Sequence, residues 1–350
     1  MRVILVLVIV PAVSCHTTFG KVESCKDPSR APDTFFAAEG VGTIECGVLC
    51  GRDHRCRSFS VRGVGKNSSC YHSTMRISLD VGCTNDFKHF NAYDSRCNSR
   101  GNFINSTYGC RCYDGYIGKW CERLMQDCSE GWKTDHYKGS KEAYYIQPFN
   151  SPVSFKVFCK MSNGGKTYLM NRGFGFPPVN FSRSWEEYKN GFGDYQIDGN
   201  HWAGLSMLHY VTTNRRHRFV ALARFQESGK LYWRQHFYMN FTVGPEENGY
   251  RFDYPFSSPH LTGGKDRALE DGLSSFRGAN FSTYDSDSDN NCADIHQSGW
   301  WWLTTCSEYN PTGQPQSPAV QNKTTDPAHM SWPHRLGYSA IFIELYVFAT

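Results

Sequence analysis

The sequence predicts an α+β fold in a multidomain, disulfide-rich secreted chain, with small stapled modules first and a larger globular domain after them. Fifteen cysteines among 350 residues, one inside an N-terminal apolar run and fourteen after it, imply staples made in an oxidising compartment. Their density falls from ten in the stretch Cys25 to Cys121 to four in the remaining two thirds, so the later part needs a hydrophobic core. That part alternates or runs apolar as strands do over Phe219–Phe225, Leu231–Tyr238 and Tyr338–Tyr346, and only Ser184–Lys189 and Leu205–Tyr210 read as helices.

Residues 1–15 read as a secretory signal: basic Arg2, eight apolar residues to Val10, a breaker at Pro11, and small Ala12 and Ser14 placed for cleavage. The rival reading, an N-terminal anchor, needs a spanning run of ~20 residues, which this one does not reach. Cleavage before Cys15 leaves an odd thiol; cleavage after it leaves an even count. Sequons at Asn67, Asn105, Asn180, Asn240, Asn280 and Asn322 agree with export, while Pro311 excludes Asn310. The apolar stretch Ile341–Phe348 contains Glu344 and reads as a terminal strand, so no later membrane span is expected. A formal charge of +4 with scattered Lys and Arg gives no sign of nucleic-acid binding, and the run Arg215, Arg216, His217, Arg218 reads as a solvated turn.

The first cysteine group, Cys25, Cys46, Cys50, Cys56, Cys70 and Cys83, contains Cys46-x3-Cys50-x5-Cys56-x2-Phe59. Cys46 and Cys50 stand one turn apart on a helix, where each sulfur can reach a different strand. With Ser58-Phe59-Ser60 and Cys70-Tyr71-His72 as strands, residues 25–94 resemble the PAN/apple module. The resemblance implies the nested pairs Cys25–Cys83, Cys46–Cys70 and Cys50–Cys56 and a binding role toward proteins or sugars; a stapled spacer is the alternative.

Residues 97–122 hold Cys97 and the run Cys110-Arg-Cys112-Tyr-Asp-Gly115-Tyr-Ile-Gly118-Lys-Trp-Cys121, whose glycines allow the left-handed turns of a short disulfide loop. This resembles the last half of an EGF-like module without that family's first and third cysteines, Phe103 standing at the third position. Those two pair with each other in the family, so the resemblance implies Cys97–Cys110 and Cys112–Cys121. The acidic pattern of calcium-binding versions is missing, and the module reads as a rigid connector.

Residues 127–350 open at Asp127-Cys128 and include Cys159-Lys-Met-Ser-Asn-Gly164-Gly165, Trp185-Glu-Glu-Tyr188-Lys-Asn-Gly191-Phe-Gly193 and His201-Trp202-Ala-Gly204. Near the end come Tyr284-Asp285-Ser-Asp287-Ser-Asp289-Asn-Asn-Cys292 and Gly299-Trp300-Trp301-Trp302. These ordered motifs closely resemble the fibrinogen C-terminal domain of ficolins, tachylectins and other fibrinogen-related proteins. The remaining cysteines, Cys128, Cys159, Cys292 and Cys306, are then disulfide-bonded, and the fifteen-residue ring Cys292–Cys306 contributes ~3 kcal/mol in the chain-entropy model.

Alternating carboxylates at Asp285, Asp287 and Asp289 repel one another unless a cation or solvent compensates them, and oxygen-rich loops of this kind suit Ca²⁺. An EF-hand is excluded, because its sixth position is Asn290 and its twelfth His296. The family resemblance makes Asp287 and Asp289 the calcium ligands. Only Asn290 and Asn291 separate Asp289 from Cys292, fewer than the family has, so the loop that supplies carbonyl ligands is shortened. Either a calcium site built with Asp285 and an Asn side chain or a solvated acidic turn fits this stretch.

Ficolins and tachylectins carry a ligand pocket beside that loop, shaped by a non-proline cis peptide before the last cysteine, here Thr305–Cys306, and by rings that hold an acetyl methyl. The resemblance implies ligand-binding positions at His296, Trp301, Trp302, Thr305, Cys306, Ser307 and Tyr309, at least one Trp being core. The family's continuation after the last cysteine is replaced here by Ser307-Glu-Tyr309-Asn310-Pro-Thr-Gly313.

No HExxH, Gly-x-Ser-x-Gly or phosphate loop occurs, and no free cysteine is left to pair with a His, so catalysis is not expected. The reading is a secreted lectin-like recognition protein that binds acetylated glycans on microbial or cell surfaces in innate immunity, its partners glycans or cell-surface glycoproteins. The alternative is a signalling or adhesion ligand whose fibrinogen-like domain binds a protein receptor. Single sugar sites are weak, so a homo-oligomer is expected with the lectin reading.

Overall fold

A computed structural model describes residues 17–22, 34–41, 43–52, 56, 58–63, 67–73, 87–173, 178–197, 199–227, 230–259, 269–286, 291–303, 306, 309–316, 326–332 and 340–350, with backbone alone for 17–22, 34–36, 51–52, 87–95, 105 and 226–227. The chain divides into two units, Met1–Arg123 and Leu124–Thr350. Among the described residues no helix is long and apolar enough to cross a membrane.

The first unit runs β1 (Thr17–Val22), β2 (Thr34–Glu39), α1 (Thr43–Arg52), β3 (Ser58–Arg62), β4 (Ser69–Ser73) and β5 (Phe87–Asp94). After these come β6 (Gly101–Asn105), β7 (Gly109–Cys112), β8 (Tyr116–Ile117) and β9 (Arg123–Leu124), the last at the junction of the units. An antiparallel sheet of order β1-β5-β3-β4-β2 forms, and α1 packs Cys46 and Cys50 against Phe59, Val61 and Cys70. Cys46–Cys70 joins α1 to β4, while Cys50–Cys56 closes the loop after the helix. Among the described residues, the buried cluster here consists of Cys46, Cys50, Cys56 and Cys70 with Phe59 and Val61. The pair Cys25–Cys83 lies outside the described residues. Downstream, Cys97–Cys110 and Cys112–Cys121 clasp the β6–β7 hairpin and its following loop, with Phe103 stacked on Trp120.

The second unit begins with α2 (Cys128–Trp132), β10 (Lys141–Ile146), β11 (Phe155–Lys160), β12 (Lys166–Gly173), α3 (Trp185–Asn190), β13 (Phe192–Gly193), β14 (His201–Trp202) and α4 (Leu205–Thr213). It continues with β15 (His217–Glu227), β16 (Lys230–Met239), β17 (Thr242–Val243), β18 (Phe252–Asp253), β19 (Phe256–Pro259), α5 (Cys292–His296) and β20 (Ala340–Ala349). The main sheet has the order β10-β11-β12-β20-β15-β16-β19, with β14 added beside β12. The last strand in sequence therefore sits in the middle, between β12 and β15. Its alternation serves both sheet faces: Ile343, Leu345 and Val347 are buried on one, Phe342 and Tyr346 on the other.

The expected strands Phe219–Phe225 and Leu231–Tyr238 lie within β15 and β16 and the third overlaps β20; the expected helix Leu205–Tyr210 lies within α4, and Ser184–Lys189 matches α3 with Ser184 as its N-cap, in a capping box with Glu187. Helices α2 and α5 were not legible, because five residues are too few to display a 3.6-residue period. Residues 338–339, expected to start the last strand, lie outside the described residues. Beside the sheet, Tyr188, Trp202, Phe281, Trp300 and Trp301 form an edge-to-face aromatic core, with Phe281 and Trp301 centroids 5.0 Å apart at 90° and Trp300 and Trp301 4.9 Å apart at 81°.

Candidate functional site

The segment from Cys292 to Cys306 is closed by their disulfide and contains two non-glycine residues in the left-handed region, Gln297 (φ 49°) and Cys306 (φ 44°), with a third, Asn291 (φ 53°), immediately before it. Such conformations persist only where the surrounding fold imposes them. Of the expected pocket walls, the structure places His296, Trp301 and Trp302 in the interior. Trp301 is 1% exposed and donates its indole N–H to the Tyr250 carbonyl at 2.8 Å. Trp302 stacks on His296 with centroids 4.1 Å apart and donates to the Ser298 carbonyl at 3.1 Å. Asn310 locks this layer by donating to the carbonyls of His296 (2.8 Å) and Pro327 (2.9 Å) while accepting from Ser298 Oγ (2.9 Å). All three rings are therefore buried, with their polar edges turned inward onto backbone carbonyls, where the sequence leads to at least one Trp being core. Tyr309 and Cys306 are half-buried, and Thr305, Ser307 and the Thr305–Cys306 bond lie outside the described residues.

Of the acidic triplet, Asp285 is described and Asp287 and Asp289 are not. Asp285 Oδ1 accepts from the Trp185 N–H at 2.8 Å and from Thr283 Oγ1 at 2.7 Å, so one of its oxygens is committed to the first turn of α3 and to its own turn. Among the sequon residues, Asn67, Asn180 and Asn240 are exposed, Asn280 is half-buried, the Asn105 side chain and Asn322 are not described.

The open space near this loop is a cleft of about 340 Å³ lined by Trp185, Glu246, Gly249, Asn280, Phe281, Ser282, Asp285 and Ser286. Trp185 forms its aromatic side, with its ring 5.7 Å from Tyr250 and its indole N–H donating to Glu246 Oε1 at 2.8 Å. Glu246 Oε2 also meets Lys189 Nζ at 2.8 Å. Burial alone would raise the Glu246 carboxyl, but the Lys189 bond and the Trp185 donor hold it below its ordinary range; the same bond to Glu246 raises Lys189. Asn280 Oδ1 takes the Arg251 Nε donor at 2.6 Å. With carboxylates at Glu246 and Asp285, an amide and a ring face, the cleft suits a cationic or hydrogen-bond-donating group beside an apolar one. Sequence reasoning missed Glu246 and Asn280 as cleft residues, because Glu246 stands in an ordinary Pro-Glu-Glu-Asn-Gly turn and Asn280 is visible only as a sequon.

Residues 124–347 match the family described as the fibrinogen beta and gamma chains, C-terminal globular domain, and the chain belongs to that family. Human fibrinogen-like protein 1 is 36% identical over 201 residues, covering 55% of this chain and 62% of that protein. Human fibrinogen C domain-containing protein 1 is 35% identical over 181 residues, covering 49% of this chain and 36% of that protein. The chain thus spans less than two thirds of the length of either relative. Among solved structures, the fibrinogen-like globe domain of human ANGPTL2 superposes with a TM-score of 0.54 at 25% identity, over 64% of this chain and 99% of that one. A lamprey fibrin D-dimer, complexed with the peptide Gly-His-Arg-Pro-amide, shares the fold with a TM-score of 0.52 at 24% identity, over 70% of this chain and 79% of that one.

Proposed function

We propose that this chain is a secreted signalling or adhesion ligand whose fibrinogen-like domain binds a protein receptor, without chemistry. The observation that carries this reading is the lining of the accessible cleft, which presents the Glu246 and Asp285 carboxylates beside the Trp185 ring, whereas His296, Trp301 and Trp302 are buried. A cleft with Glu246, Asp285 and Trp185 fits a Lys or Arg side chain of a partner protein better than an acetyl methyl. Relatives that are themselves fibrinogen-like proteins support the same class. In this reading the first unit is a PAN/apple-like module followed by a shortened EGF-like connector, which the α1-on-sheet arrangement and the four disulfides described there support. The leader is removed on export. Asp287 and Asp289, with Asp285, take Ca²⁺ through carboxylate oxygen, and the mature chain self-associates.

The test is binding of purified protein to cultured cells. Trypsin treatment of the cells should abolish binding, N-acetylglucosamine should not compete, and Trp185→Ala or Glu246→Ala should weaken binding about tenfold, as loss of one well-placed contact does. Retention on acetylated resin, reversed by chelator or by N-acetylglucosamine, would restore the lectin reading in its place. Light scattering reports self-association, and a shift of the melting temperature on adding calcium reports the ion.

A further inference from the structure

Three strands at one end of the main sheet place lysines directly opposite one another. Lys141 on β10 faces Lys160 on β11, and Lys160 faces Lys166 on β12. Directly opposed like charges destabilise a sheet. Lys156, two pleats from Lys160 on β11, projects from the same face, as do Arg218 and Arg224 farther across it. Among the described residues the carboxylate on this face is Glu344, 3.8 Å from Arg224. None of the four lysines forms an ion pair with a described residue, although Lys166 Nζ lies 4.5 Å from the Tyr346 ring centre. Burial, and then the charge of Lys160, push the Lys166 ammonium below its ordinary range, against a smaller opposing effect of Glu344. Protection of a sheet edge accounts for Lys141 on the outermost strand; it does not account for Lys160 and Lys166 on inner strands.

We propose that Lys141, Lys156, Lys160 and Lys166 form a docking surface for a sulfated polysaccharide, separate from the acidic cleft and beyond the receptor reading. Adjacent strands lie ~4.8 Å apart, so the row offers three ammonium charges across roughly 10 Å. On a sheet face the backbone donors and acceptors are already used, so an incoming peptide gains no main-chain bonds there. Ammonium groups are compact, non-directional charges suited to a linear polyanion. Tyr145, opposite Lys156 and 45% exposed, adds a ring face for a sugar.

The full chain is passed over immobilised heparin in a salt gradient. The natural protein should be retained at 0.1 M NaCl, and Lys141→Gln/Lys160→Gln/Lys166→Gln should bind about tenfold more weakly, as three lost pairs of roughly 0.5 kcal/mol each imply. The corresponding triple Lys→Arg variant keeps the charge and should be retained like the natural protein, and Arg216→Gln, on the turn before β15, should change nothing. Lys160→Gln alone should raise the melting temperature, and heparin should raise that of the natural protein but not of the triple Gln variant. Elution of natural and triple Gln proteins at the same salt, loss of retention in Arg216→Gln, or tighter binding to immobilised polyglutamate than to heparin would each overturn the proposal.

Discussion

Asp127 is a carboxylate in an almost waterless place, 2% exposed, and three groups hold it there. It caps α2 by accepting from the Glu130 N–H at 2.8 Å, meets His217 Nε2 at 3.1 Å and meets Arg215 Nη1 at 3.2 Å. Desolvation is the largest influence and raises its pKa, but the His217 hydrogen bond, the charges of His217 and Arg215 and the cap together bring it below the ordinary value. A depressed folded-state value means this carboxylate stabilises the fold above about pH 4 and loses that contribution as pH falls through the folded value. Asp127→Asn should therefore cost about 2–3 kcal/mol at pH 7, and the difference from the natural protein should shrink toward pH 2 in denaturant titrations run at several pH values. Trp301 offers a second test at this scale. As a core ring it should cost about 3–5 kcal/mol when changed to Ala; a pocket residue would leave the unfolding midpoint nearly unmoved. The Asp127 cluster was not legible in the sequence, where Asp127 stands only as the start of a motif and His217 as part of a solvated turn, because burial is a property of neighbours distant in the chain.

Among the elements, the strands were the most readable, since a period of two or an apolar run of eight residues is a local signal. Residues Phe219–Phe225 alternate because Val220 and Leu222 pack with Tyr168 and Tyr346 on one face while Phe219 and Phe225 enter the core on the other. Their order in the sheet was not readable: β20 inserts between β12 and β15, and the sequence separation gives no hint of it. The disulfides act at this scale as well. Cys128–Cys159 ties α2 to β11 across 31 residues, and its loop length gives about 3.7 kcal/mol in the chain-entropy model. Replacing both cysteines by Ser should lower stability by about 3–4 kcal/mol, measured by chemical denaturation, and somewhat more than the same change at Cys292 and Cys306, whose separation is 14.

For the whole molecule, the division at Arg123 and Leu124 predicts that residues 124–350, produced alone in an oxidising compartment, fold with their own core. Cooperative thermal unfolding together with Cys128–Cys159 and Cys292–Cys306 in peptide maps is the expected result, and scrambled pairs would refute it. The sequence by itself determined the cysteine groups, the main strands and the family, because covalent staples, residue periods and ordered motifs are written along the chain. Only the tertiary structure decided which rings are wall and which are core, which acids meet in the cleft, and that lysines 141, 160 and 166 stand in one row. Those facts depend on strand register and on a last strand that reaches the centre of the sheet, and both are set by packing between residues far apart in the chain.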